Sequence, residues 1–97
     1  MNTNLYKQVH RLAIELLKSA DADNEAKFKA SYAQLKQLCE ENMSDDHKNH
    51  PVQWETLADF TEDLDEALAI YQQALDCAVL REAVDYQASI SFSMAQL

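Results

Sequence analysis

Five side chains with metal-ligand chemistry fall within twelve residues: Cys39, Asp45, Asp46, His47 and His50. The pair His47-x-x-His50 can chelate a borderline ion, with thiolate or carboxylate as further ligands. Structural zinc generally takes tighter pairs such as C-x-x-C, and none occurs. Surface-loop histidines are the plainer reading, and no metal and no cofactor is assigned. His10, in a stretch of helical periodicity, is a candidate phosphoacceptor. The acid pairs Glu40/Glu41, Asp45/Asp46, Glu62/Asp63 and Asp65/Glu66 have the chemistry for general acid–base work. They cluster at expected helix ends, where capping and the helix dipole account for them. Nucleophilic catalysis finds no support: no Ser is flanked by Gly, and neither Cys39 nor Cys77 has a His on its own helix face. Trp54, Tyr71 and Phe92 can stack on a ligand, but their helical spacing assigns them to a core. The expectation is a protein that is not an enzyme.

The elements that must position these side chains are helices. The 97 residues contain no Gly and a single Pro, Pro51, while Ala, Leu, Gln and acidic residues abound. Hairpins and phosphate-binding loops need positive-φ positions, which this composition hardly supplies. An all-α fold of about five antiparallel helices follows. The net charge of −9 is uneven. Residues 1–20 carry +2, residues 21–49 carry −3, and residues 50–97 carry −8, with Arg81 their one strong base. Nucleic acid and anionic membrane are not expected partners, because both want clustered Lys and Arg. A basic protein or peptide segment is electrostatically easier to accept. Cys39 and Cys77 read as free buried thiols in a reducing compartment. MNTNLYKQVHRL lacks the apolar core of a signal peptide and no segment is apolar enough to span a membrane, so the expected location is cytoplasmic.

One domain, 1–97, is expected: a helical hairpin over about 5–42, a loop over 43–50, a second hairpin over about 51–81, and a last helix over about 83–97. The first helix has the stripe Leu5, Val9, Leu12, Ala13, Leu16 and Leu17, with Tyr6 and Ile14 beside it. The second has Phe28, Tyr32, Leu35, Leu38 and Cys39. Pro51 suits the first turn of the third helix, and Asp63-x-x-Glu66 resembles a capping box opening the fourth. The fourth carries Leu64, Ala67, Leu68, Tyr71, Ala74, Leu75 and Ala78 on one face. No Gly, Pro or Asn marks its end. A break near Arg81–Asp85 is expected because an unbroken helix would outrun so small a domain. The last helix is apolar on two faces and no polar closing helix follows it in the sequence.

EALAIYQQALDCA, Glu66–Ala78, resembles the second helix of a tetratricopeptide repeat, through Ala67, Tyr71, Ala74 and Leu75. Trp54, Leu57 and Ala58 are similar to that family's first-helix signature. The spacing from Trp54 to Ala67 is about one helical turn shorter than in the usual repeat, and the family's turn Gly and closing Pro are missing. Tyr32–Cys39 aligns with Tyr71–Ala78 at an offset of 39, against the usual 34. The resemblance implies stacked helical hairpins in a right-handed superhelix whose first helices line a peptide-holding concave face. It also implies a non-enzymatic protein-interaction module or scaffold with a protein or peptide partner. Its implied groove residues are Lys7, His10, Arg11, Gln53, Asp59, Gln87 and Ser91. Tyr86, Ile90, Met94 and Leu97 of the last helix are expected to drive self-association into a homodimer or larger homo-oligomer. The alternative is a regulatory helical domain using His10 or His47/His50. Helical phosphotransfer domains place a Lys-Gly pair shortly after their His, whereas Arg11, Leu12, Ala13 and Ile14 follow His10.

Overall fold

In the computed structural model, which describes residues 3–45 and 48–97, those residues form helices and turns with no β-strand. The helices are α1 (Thr3–Asp21), α2 (Glu25–Asn42), α3 (Pro51–Asp59), α4 (Leu64–Leu80) and α5 (Val84–Gln96). Local chemistry explains most of their boundaries. Asn24 Oδ1 accepts from Lys27 N at 3.1 Å and opens α2. Asp63 Oδ1 accepts from Glu66 N at 3.0 Å and opens α4. Each cap satisfies one of the amide donors that a helix start leaves without a partner.

The end of α4 has a definite mechanism. Glu82 N donates to Val79 O and Ala83 N to Ala78 O, the paired bonds of a Schellman turn. Glu82 sits at φ 55°, a left-handed conformation that usually falls to Gly. The end of α1 repeats the motif: Asp23, at φ 53°, donates to Ala20 O, and Asn24 to Ser19 O. The chain therefore makes two glycine-type turns without glycine. The Asp- and Asn-rich stretch Ala20–Asn24 marks the end of α1 in the sequence, whereas no such punctuation marks the end of α4.

One core joins all five helices: Leu5, Val9, Leu12 and Leu16 of α1, Leu35 and Cys39 of α2, Trp54, Leu57 and Ala58 of α3, Ala67, Tyr71, Ala74, Cys77 and Ala78 of α4, and Ile90 of α5. The small side chains of α4 let it approach α3 closely, and these two helices make the most extensive pairing. Leu17, Leu64 and Leu68 lie on the expected stripes but are exposed. The apolar arc that packs is narrower than the periodic one.

A polar node ties the 43–50 connection to three helices. Asn49 Oδ1 accepts from Gln53 Nε2 at 3.1 Å and from Trp54 Nε1 at 2.7 Å. Its backbone carbonyl accepts from Arg81 Nε at 2.7 Å and Cys77 Sγ at 3.3 Å. Asn42 Nδ2 completes the node on Gln53 Oε1 at 3.2 Å. The side-chain polar groups of Gln53 are thus satisfied inside the protein, as a buried amide requires.

Candidate interaction surface

The residues expected to line a groove divide sharply. Lys7, His10, Arg11, Asp59 and Ser91 are exposed, and Gln87 is half-buried. Gln53 is fully buried in the Asn49 node and cannot meet a ligand, which corrects its place in the set. Its polar character came from a hydrogen-bonded interior, a distinction that periodicity does not make. Arg11 pairs with Glu15 at 3.2 Å, and Glu15 also accepts from Ser31 Oγ on α2. Gln87 Nε2 reaches the Ala78 carbonyl at 3.5 Å. Tyr71 Oη donates to Asp59 Oδ1 across the α3–α4 hairpin. Between α5 and α3, Ser89 Oγ donates to Glu55 Oε2 at 2.8 Å. Neither Glu55 nor Ser89 was singled out from sequence, and no motif marks them.

The histidine sites are placed as follows. Asp46 and His47 lie outside the described residues. His50 is the N-cap of α3: its Nδ1 accepts from Val52 N at 3.1 Å, and its ring stands edge-on to Tyr86 at 5.1 Å. Burial, and then the Arg81 guanidinium, push its pKa down to about 4. Cys39 is buried with Sγ on the Gln53 carbonyl at 3.4 Å, and burial, with Glu40 nearby, raises its thiol to about 12. Among the described residues no three His, Cys, Asp or Glu side chains gather to hold a metal ion. His10 stacks on Tyr6, with ring centroids 6.4 Å apart.

The His50 cap makes a pH prediction. Its folded pKa lies below the unfolded 6.5, so the unfolded chain takes up a proton first as pH falls. Its contribution is complete above about 6.5 and is lost progressively as pH drops toward 4. His50→Asn keeps a capping side chain that does not titrate. Urea midpoints should therefore fall more steeply for the wild type than for His50→Asn between those pH values. Parallel midpoints would show that the imidazole is not held neutral.

The last helix settles which of its two apolar faces is free. Ile90 is 0% exposed, and Tyr86 and Met94 are half-buried against the core. Three of the four residues expected to drive self-association therefore pack inside the molecule; Leu97 alone is exposed. The opposite arc is open: Val84 is 70% exposed and Phe92, expected in the core from its helical spacing, is 68% exposed, with Ala88, Ser91 and Ala95 exposed on the same side. At about 100° per residue these five share one arc, roughly opposite Ile90. Leu80, at the end of α4, is 85% exposed and Val79 is exposed beside it in sequence. Helical periodicity found both faces of α5, but only the packing of the preceding hairpin says which one it covers.

Two clefts of about 360 and 430 Å³ share Tyr32 and Glu66 as lining residues, between α2 and the α3–α4 hairpin. Their apolar lining includes Phe28, Phe60, Trp54 and Ile70, and they contain none of the expected groove residues. Among the described residues no helix is long and apolar enough to cross a membrane. Comparison with known proteins finds no family model, no curated protein and no solved structure that matches the chain.

Proposed function

We propose that this chain is a non-enzymatic helical interaction module that docks another protein, a second copy of itself included, on the outward face of α5. The observation that carries the reading is the exposure of Val84, Ala88, Phe92 and Ala95 on one arc of α5. Single exposed apolar residues are ordinary, whereas several on one arc mark an interaction surface. A repeat-like stacking of hairpins supports the reading. The α5 helix begins 33 residues after α3, close to the 34-residue period of tetratricopeptide repeats. The side chains Trp54, Leu57, Ala58, Ala67, Tyr71 and Ala74, on which that resemblance rests, are buried at the α3–α4 pairing, with Leu75 half-buried.

Sedimentation velocity over a wide concentration range tests the proposal. The wild type should gain mass with concentration, and Phe92→Glu should remain at the monomer mass with unchanged helicity. A Phe92→Glu variant that associates as the wild type does would remove α5 as the docking face.

A further inference from the structure

The Ser89–Glu55 hydrogen bond pairs α5 with α3 at an offset of 34 residues. That register says what kind of surface the open face of α5 is. Shifted by the offset, Trp54, Leu57 and Ala58 become Ala88, Ser91 and Phe92. The first three are buried in the core that α3 shares with α4, and the second three are exposed. Likewise Val52 and Thr56 become Tyr86 and Ile90, the inward side of α5. The open arc of α5 is therefore the counterpart of the α3 face on which α4 packs. Its fitting occupant is a helix.

Among the described residues, α1 is the helix of this chain with both an exposed apolar stripe and an excess of base. Tyr6, Ile14 and Leu17 are exposed large apolar side chains, and Leu17 is 55% exposed. With His10 and Ala13 they fall at i, i+4, i+7, i+8 and i+11. Val84, Ala88, Ser91, Phe92 and Ala95 have the same spacing on α5, so two similar helical arcs face solvent. Lys7, Arg11 and Lys18 accompany the α1 arc, against Glu15 and Asp21. The α4 helix has Asp65, Glu66 and Asp76 and no base, and α5 has Asp85 and no base. The α2 and α3 helices expose no large apolar side chain. Docking α5 on α5 would bring together two copies of the half that carries −8, whereas α1 brings the +2 segment to it.

We infer that α1 of a second copy docks on the open face of α5, so that copies join head to tail, with large α1 side chains over the small α5 residues and around Phe92. This rests on the reading of that face as a docking surface. A head-to-tail interface uses two different patches, so it does not close at a dimer of its own accord.

Two single variants and their mixture test this. Phe92→Glu spoils the α5 face and keeps α1; Leu17→Glu spoils α1 and keeps α5. Each alone should sediment as a monomer with wild-type helicity. Mixed one to one, they retain one good interface between them and should give a heterodimer that grows no further, while the wild type exceeds a dimer at high concentration. If Leu17→Glu associates like the wild type while Phe92→Glu does not, α5 docks on another surface: the head-to-tail proposal fails and the reading of the α5 face survives. If the wild type is monomeric at every concentration, self-docking through either face is overturned.

Discussion

Replacing Asn49 by Ala should lower stability by about 3 kcal/mol, because it strips the acceptor from two donors inside the fold. Gln53 Nε2 and Trp54 Nε1 both donate to Asn49 Oδ1, at 3.1 and 2.7 Å. Gln53 is fully buried and Trp54 nearly so, while Asn49 itself is half-buried, so the lost oxygen leaves two donors on largely enclosed side chains. A buried donor without a partner costs about 1–3 kcal/mol, which is why truncating the acceptor costs more than one hydrogen bond is worth. For a domain of this size the melting temperature should fall by about 15 °C. Asn49→Asp keeps an acceptor in place and should recover more than half of the loss. An Asn49→Ala protein that melts within a few degrees of the wild type would show that the node is not what anchors the connection to α3.

Ile90→Ala should cost about 3 kcal/mol, and Phe92→Ala, two residues away, less than about 0.5 kcal/mol at concentrations where the chain is monomeric. Ile90 is fully enclosed, so its truncation removes buried surface and leaves a cavity that neighbouring side chains fill only partly. Phe92 stands mostly in solvent, and its removal exposes little that was buried. The contrast inverts when association is measured: Phe92 variants lose it, and Ile90→Ala keeps it once folded. Chemical denaturation of the two variants side by side decides the matter. Equal losses would mean that α5 does not present these two faces to different environments.

Helix number and type were legible in this chain because absence of Gly and a 3.6-residue apolar period are local properties. Pro51 and Asp63 gave two helix starts, since an N-cap or an N1 proline acts within one turn of its own position. His50 was readable as a histidine near a metal-like cluster. Its use as a cap depends on the extended backbone at that residue, and its low pKa depends on burial beside Arg81. The α4 end was bracketed only by a length argument, because Glu82 takes a conformation that its side chain does not advertise.

What the sequence by itself determined is the all-α class, the approximate run of each helix, the acidic second half, and the existence of two apolar faces on α5. The tertiary structure alone decided that Ile90 points in and Phe92 out, that Gln53 belongs to a buried node, and that Glu55 meets Ser89 at an offset of 34. The physical reason is the same in each case. Periodicity assigns a residue to a face of its own helix, whereas burial depends on which neighbour packs there, and that neighbour lies far away in the chain.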